Sequence, residues 1–226
     1  CAKYLQGGIW DSPMNYFGCG RVIRQFLGEP DLFMRKHPAL EKLSYKISAR
    51  DVKERVLQHL AKLPYVIWEN QFNLFDSHDT SRLHNNPKVN REEYRGAVMF
   101  QFLLPGAPSV YYGDEAGMEG YKDPFNRRPY PWGREDWEFL EHFRRLGQLR
   151  KNHKALRLGD IQFFCAGDKH LGFSRTFNGK TVKIYANRSA DSWEIPNGKI
   201  KLGYNLQVIA KDCLVIGPRG FCVTEE

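Results

Sequence analysis

The sequence has no run of about 20 apolar residues and no run of five or more basic residues. Without such an apolar run, we expect no segment to cross a membrane. The formal net charge is +8, but the basic residues are spread along the 226 positions, so a nucleic acid or an acidic lipid surface is only a minor alternative as a partner. The sequence therefore predicts a packed globular protein without a nucleic-acid or membrane partner.

Cysteines are few, and their number, five, is odd. No Cys-x-x-Cys or Cys/His spacing occurs, which argues against a disulfide framework and against a zinc site. This pattern favours a reducing compartment, and we expect the protein to be cytoplasmic. The sequence begins at Cys1 without an initiator methionine or a signal peptide, so we expect it to be a piece of a longer protein.

Three common catalytic motifs are also missing. The sequence contains no Gly-x-Ser-x-Gly elbow, no phosphate-binding glycine loop and no His-Glu-x-x-His. Acyl transfer by a serine, nucleotide chemistry and zinc hydrolysis all lose support. We expect no cofactor and assign no metal-binding residue. No cluster of oxygen ligands requires calcium, so calcium use stays open.

Local signals predict three helices. Two of them begin at pairs that resemble capping boxes and stop at prolines, and the third runs over about residues 135–151 with apolar residues on one side. The capping pairs are Ser48 with Asp51 and Asn90 with Glu93, and the stops are Pro64 and Pro105.

Between these helices lie short apolar segments that end in polar residues, at positions 8–16, 70–80 and 107–115. Apolar strands that alternate with amphipathic helices indicate an α/β fold with a parallel sheet, in which the carboxyl ends of the strands carry the site. We therefore expect the polar residues at these ends to converge on one rim. They are Asp11, Asn15, Asp76, His78, Asp79, Asp114 and Glu115.

After about residue 157 the pattern changes to short strands separated by Gly, Pro and Asn turns. Asn178-Gly179 between two such strands is a strong hairpin signal. The sequence thus predicts two domains: an α/β domain over residues 1–157, and a small all-β, antiparallel domain over residues 158–226.

The segment FDSHDTSR (75–82) is the first candidate for chemistry. A lone His-Asp pair often only fixes a loop, but Ser77, Thr80 and Arg82 add donors and acceptors that suit a hydroxyl-rich ligand such as a sugar. The second candidate is DPFNRRPYPW (123–132), whose prolines hold Asp123 and Arg127 on a stiff loop. A solvent-facing ion pair of little energetic value is the alternative interpretation for these two residues.

Three segments in order resemble the alpha-amylase family of glycoside hydrolases, and within it the neopullulanase, cyclomaltodextrinase and maltogenic amylase group. They are DSPMNYF (11–17), in which Pro13 stands where that group usually has Val, NLFDSHDTSR (73–82), and PGAPSVYYGDEAGMEGYKDPFNRRPYPW (105–132). The resemblance implies that residues 1–157 are the last three β/α units of a TIM (β/α)8 barrel. It also implies that residues 158–226 are the family's C-terminal antiparallel β-sandwich.

The resemblance further implies retaining hydrolysis of α-glucosidic bonds in starch-derived oligosaccharides such as maltodextrin, cyclomaltodextrin and pullulan. By residue, it makes Asp79 the carboxylate that stabilises the transition state and His78 a neighbouring hydroxyl donor. Asp123 and Arg127 would bind the next glucose on the non-reducing side, and Arg82 would orient the segment from behind.

In this family the nucleophilic Asp and the general-acid Glu follow the fourth and fifth barrel strands, and the resemblance places neither in this chain. We therefore expect the isolated chain to be inactive and its barrel to be completed by a missing N-terminal half or by another copy of the chain. Two alternatives stay open: a non-catalytic carbohydrate-binding fragment, and a transglycosylase or isomerase of the same family. Substrate and linkage specificity stay open as well.

Overall fold

A computed structural model describes residues 4–5, 8–28, 46–85, 89–121, 123–210 and 212–226, and Cys1 lies outside these ranges. A π-helical turn, Tyr16–Gly20, leads directly into α1 (Arg21–Phe26). The other helices are α2 (Ala49–Leu60), α3 (Tyr65–Trp68), α4 (Arg91–Leu103), α5 (Trp137–Asn152) and α6 (Lys154–Leu158). The strands are β1 (Phe72–Asn73), β2 (Ala107–Pro108), β3 (Asp160–Ala166), β4 (His170–Phe177), β5 (Lys180–Asn187), β6 (Trp193–Pro196), β7 (Lys199–Ala210) and β8 (Cys213–Glu225). Within the described ranges, no helix combines the length and apolar character that crossing a bilayer requires.

The three predicted helices are confirmed as α2, α4 and α5. The Ser48 and Asn90 side chains each accept the backbone N–H three residues on, and the Asp51 and Glu93 carboxylates return a bond to the backbone of the cap residue. These complete capping boxes satisfy N–H groups that a helix start otherwise leaves without partners. Helix α5 begins after Asp136, whose side chain accepts two backbone N–H groups of the first turn.

A short parallel ladder joins the three predicted strand segments. Phe72 pairs in parallel with Met14 on one side and with Ala107 on the other. The predicted parallel direction is confirmed, but the strands are only two residues long, and residues 8–16 contribute a single bridge. Pro13 and Pro108 have no N–H to donate to a ladder, which limits its length at both outer segments.

The C-terminal residues form one six-stranded sheet in the order β3-β4-β5-β8-β6, with β7 also paired to β8. The predicted hairpin is confirmed, since Asn178 and Gly179 both have positive φ (49° and 75°) between β4 and β5. Strand β8 first pairs with β6 and then, beyond its Gly217–Gly220 stretch, with β5, while β7 follows it on both sides of that stretch. The antiparallel prediction holds, but the strands belong to one curled, hydrogen-bonded sheet, whereas a sandwich has two separate sheets.

The apolar core is continuous from the helices into this sheet. Phe100 on α4 makes ring contacts with Phe26 of α1 at a centroid distance of 6.0 Å and with Phe173 of β4 at 6.2 Å. Buried Arg175 of β4 donates to the carbonyl of Leu103 at the end of α4 (2.8 Å). The boundary at residues 157 and 158 falls inside α6 and stays a prediction.

Candidate functional site

The segment 75–82 combines a buried base with two exposed side chains. Asp76, Ser77, Ser81 and Arg82 are buried. His78 and Asp79 are exposed, with side-chain exposures of 55% and 67%, and His78 Nε2 lies 3.3 Å from Asp79 Oδ1. The segment thus presents an imidazole and a carboxylate together to solvent, just beyond strand β1.

Internal hydrogen bonds fix the turn that carries this pair. Asp79 N donates to Ser77 Oγ (3.1 Å), Thr80 N donates to the Ser77 carbonyl (3.2 Å), and Ser77 N donates to Thr80 Oγ1 (2.9 Å). Tyr16 Oη adds a bond to Ser77 Oγ from the neighbouring segment (3.1 Å). The hydroxyls that the sequence suggested for a ligand therefore hold the turn itself.

Asp76 is held from beneath by Arg24, a residue that the sequence analysis missed. Arg24 Nη2 contacts the Asp76 carboxylate, its Nε donates to the Phe75 carbonyl (2.8 Å), and Asp76 Oδ2 accepts the N–H of Leu83 (2.9 Å). Burial raises the pKa of Asp76, and the Arg24 charge opposes that rise. In the sequence, the position of Arg24 among the apolar residues of α1 was the signal that could have indicated a buried, paired arginine.

Arg82 ties the segment to two loops. It is fully buried, with Nη1 2.7 Å from Asp114 Oδ1, Nη2 donating to the Asn126 carbonyl (3.0 Å) and its backbone N–H donating to the Gly120 carbonyl (2.8 Å). Burial, followed by the nearby Asp76 charge, raises the pKa of Asp114 well above its usual range. This geometry suits an orienting role for Arg82, which stays a proposal.

The expected convergence of all the polar strand ends on one exposed rim is wrong for several members. Asn15, Asp76 and Asp114 are buried. Asn15 Nδ2 donates to Asn73 Oδ1 (2.9 Å), and the Glu115 carboxylate accepts the N–H of Gly113 (2.9 Å). Asn15, Asp76 and Asp114 form the interior support of the rim, because a buried polar group requires a hydrogen-bond partner.

Asp123 and Arg127 form the predicted pair, with Arg127 Nε 3.0 Å from Asp123 Oδ1 and both side chains substantially exposed. Asn126 lies between them in sequence and is fully buried. Its Nδ2 donates to the carbonyls of His78 (2.9 Å) and Thr80 (2.8 Å). The two exposed pairs are therefore connected by one side chain, which the sequence analysis did not identify.

Exposed aromatic rings accompany the second pair. Tyr121, Phe125 and Trp132 are 48%, 54% and 81% exposed, and the Trp132 ring contacts Tyr130 at a centroid distance of 4.5 Å. In the part of the chain that the structure describes, no group of three or more His, Cys, Asp and Glu residues is arranged to hold a metal ion. The described surface thus offers carboxylates, imidazole, guanidinium and rings, a set that suits hydrogen bonding to hydroxyls and stacking on a sugar.

Sequence comparison relates the chain to starch-degrading enzymes. The sequence model for the alpha amylase catalytic domain matches residues 31–136. A cyclomaltodextrinase of Geobacillus thermopakistaniensis (strain MAS1) is 34% identical over 197 residues, covering 85% of this chain and 31% of the relative. An intracellular maltogenic amylase of Bacillus subtilis is 34% identical over 190 residues, covering 82% and 30%. An amylopullulanase of Thermoanaerobacter thermohydrosulfuricus is 33% identical over 194 residues, covering 78% and 13%.

Solved structures give the same result for the fold. The debranching enzyme of Nostoc punctiforme superposes with a TM-score of 0.82 at 26% identity, over 98% of this chain and 49% of that one. The protein Ttha1563 from Thermus thermophilus superposes with a TM-score of 0.80 at 28% identity, over 99% and 50%. The chain therefore spans less than a third of the curated relatives quoted above and about half of these structures.

Proposed function

We propose that the chain is part of an enzyme of the alpha-amylase family that hydrolyses α-glucosidic bonds of starch-derived oligosaccharides with retention of configuration, a proposal supported by the family match and the related enzymes. Maltodextrin, cyclomaltodextrin and pullulan are the proposed substrates. The names of the related cyclomaltodextrinase, amylopullulanase and maltogenic amylase support this substrate class.

One observation carries the assignment of the site: Asp79 and His78 are exposed side by side on a buried, internally bonded turn beyond the middle strand of the parallel ladder. In the proposed role, the Asp79 carboxylate accepts hydrogen bonds from two sugar hydroxyls and His78 donates to a third group on the same ring. The carboxylate binds more tightly as positive charge develops at the anomeric carbon, so it lowers the barrier and not only the ground-state energy.

Asp123 and Arg127 are proposed to bind the next glucose on the non-reducing side. Their exposure leaves the outer carboxylate and guanidinium edges accessible to sugar hydroxyls, and the Asn126 bridge places their loop against the turn that carries Asp79.

The nucleophile and the general acid are proposed to come from another polypeptide segment. Three of the described carboxylates at the rim already have structural partners: Asp76 contacts Arg24, Asp114 contacts Arg82, and Glu115 accepts a backbone N–H. We expect the isolated chain to be inactive. Hydrolysis by the purified chain alone would contradict this part of the proposal.

We further propose that residues 1–157 are the last three units of a (β/α)8 barrel and that residues 158–226 are its C-terminal domain. Met14 and Phe72, neighbours in the parallel ladder, are 48% and 46% exposed, which supports packing against a missing N-terminal half or another copy of the chain.

A cytoplasmic location, and the absence of cofactor, nucleic-acid and membrane partners, also remain proposals. The related Bacillus subtilis protein is named as intracellular.

The decisive experiment measures turnover of maltooligosaccharides by the complete enzyme and its Asp79→Asn variant. We expect kcat to fall well over tenfold, because the lost interaction belongs to the transition state. Asp212→Asn, a matched change at an exposed aspartate of the β7–β8 turn, is expected to leave kcat unchanged. Near-normal turnover by Asp79→Asn would overturn the assignment, and carbohydrate binding without hydrolysis would favour a binding protein.

A further inference from the structure

Asn126 occupies an unusual position between the two exposed pairs. It lies in the 3-10 turn Phe125–Arg127 and has no solvent-exposed surface. Its two amide hydrogens are divided between two backbone carbonyls, those of His78 and Thr80, which lie 48 and 46 positions away in the chain. A primary amide is well suited to this task because a single nitrogen carries two N–H donors.

The two carbonyls bracket Asp79. Between them, the backbone N–H groups of Asp79 and Thr80 are already bonded to Ser77. With Asn126 added, the backbone of the turn is fixed on both sides of the residue whose carboxylate points to solvent.

The Asn126 side of the contact is equally fixed. The Asn126 carbonyl accepts a bond from buried Arg82, and Arg127 N donates to the Pro124 carbonyl. Gly120 packs so closely against this turn that an added Cβ would lie 2.5 Å from the Phe125 carbonyl oxygen and 2.6 Å from Asn126 Cα. The loop bearing Asp123 and Arg127 therefore cannot shift relative to the Asp79 turn without breaking bonds at Asn126.

We propose that Asn126 is a positioning residue that sets the distance between the Asp79 carboxylate and the Asp123–Arg127 pair, so that two adjacent glucose units are held in register for the reaction. This inference rests on the proposed function, because it assigns a role relative to the same sugar-binding residues. A displacement of about 1 Å in a catalytic geometry can cost roughly a hundredfold in rate.

The test uses Asn126→Asp and Asn126→Ser in the complete enzyme, alone and combined with Asp79→Asn. Aspartate has the shape of asparagine, but its carboxylate cannot donate to the carbonyls of His78 and Thr80 and would repel them. Serine is uncharged and has a single donor that is too short to reach both. We expect each single variant to lower kcat on maltooligosaccharides about 10- to 100-fold with a smaller change in KM. Asn178→Asp on the exposed hairpin turn is the matched control and should leave both constants unchanged.

The double variants give the readout that a general loss of stability would not produce. If Asn126 acts through Asp79, its substitution should have little further effect once Asp79 is asparagine, so the two losses should not multiply. Equal losses in both backgrounds would overturn the positioning role while leaving the proposed function intact. Full activity of Asp79→Asn would instead overturn the proposed function itself. Thermal unfolding of each variant shows whether a loss of activity reflects loss of folded protein. The Asn126→Ser variant introduces no buried charge, so its activity can be compared with that of Asn126→Asp to identify effects of the charge on folding.

Discussion

Arg82 Nη1 lies 2.7 Å from Asp114 Oδ1, and both side chains are almost completely removed from solvent. The guanidinium also lies over the ring of Tyr111, 4.4 Å from its centroid. An ion pair in this environment is costly to break from one side only, because the remaining charge is left buried without compensation.

We therefore expect Arg82→Met to lower the free energy of unfolding by about 3–5 kcal/mol. The double variant Arg82→Met/Asp114→Asn should recover part of this loss, since no unpaired charge then remains in the interior. Urea unfolding of the two variants and the parent protein measures both effects. A single variant as stable as the parent would show that the pair does not support the segment.

The Asp123–Arg127 pair allows its two interpretations to be separated. An exposed ion pair contributes little to stability, so Asp123→Asn should leave the free energy of unfolding unchanged. If the pair binds a glucose unit, the same change should raise KM for maltooligosaccharides several-fold, with a smaller effect on kcat. Glu226→Gln, which removes an exposed partner of Lys183 in the C-terminal sheet, provides the control. Unchanged KM in Asp123→Asn would favour a simple surface ion pair.

His142 makes stability depend on pH. It lies on α5 and is buried against the rings of Tyr204 and Phe221 in the sheet, and its Nε2–H donates to the Arg95 carbonyl (2.9 Å). Burial lowers the pKa of His142 from 6.5 to about 4, and the charges of Arg95 and Arg145 act in the same direction. The pKa of His142 is lower in the folded state than in the unfolded state. The contribution of neutral His142 to the free energy of unfolding is therefore complete above pH 6.5 and is lost as the pH falls towards 4.

The largest contribution from this histidine is about 3 kcal/mol, from the difference between the two pKa values. His142→Gln keeps an N–H donor but cannot be protonated, so its unfolding free energy should decline less steeply between pH 6.5 and 4 than that of the parent protein. Chemical unfolding at a series of pH values measures the difference. Parallel curves for the two proteins would contradict the prediction.

Two glycines should respond oppositely to the same substitution. Gly106 has φ of +126°, and a Cβ there would lie 2.7 Å from both the Gln71 carbonyl oxygen and Asn73 Oδ1, so Gly106→Ala should cost about 1–3 kcal/mol or more. Gly96 lies inside α4 with open space at its Cβ position, and Gly96→Ala should stabilise the protein by about 1 kcal/mol. Thermal unfolding of the pair tests both signs, and a stabilising Gly106→Ala would contradict the backbone argument.

The helices were predictable because their signals are local. The side chain of Asp51 or Glu93 reaches the cap three residues earlier, so the sequence alone contains both partners. The hairpin at Asn178 is local in the same way. The prolines in two of the three strand segments are visible in the sequence. The length of the parallel strands was still not predictable, since it depends on which backbone N–H groups face a neighbouring strand.

The buried ion pairs beneath the candidate site could not be predicted from the sequence for a different reason. Asp76 is separated from Arg24 by 52 positions and Asp114 from Arg82 by 32, and nothing in the local pattern distinguishes a paired, buried aspartate from an exposed one. The exposed members, His78 and Asp79, were found because they lie in a polar segment at a predicted strand end, and the same segment carries the family resemblance. Asn126 was missed because its two contacts exist only after both loops have folded.

The uninterrupted interior that runs from Phe26 through Phe100 to Phe173 limits how freely the C-terminal sheet can be exchanged between relatives. A chimera that joined these helices to a foreign sheet would have to match ring shapes across that contact and supply a donor for the Leu103 carbonyl in place of Arg175. Substitutions on the two faces should therefore covary during evolution, and grafting should succeed only when both faces are transferred together.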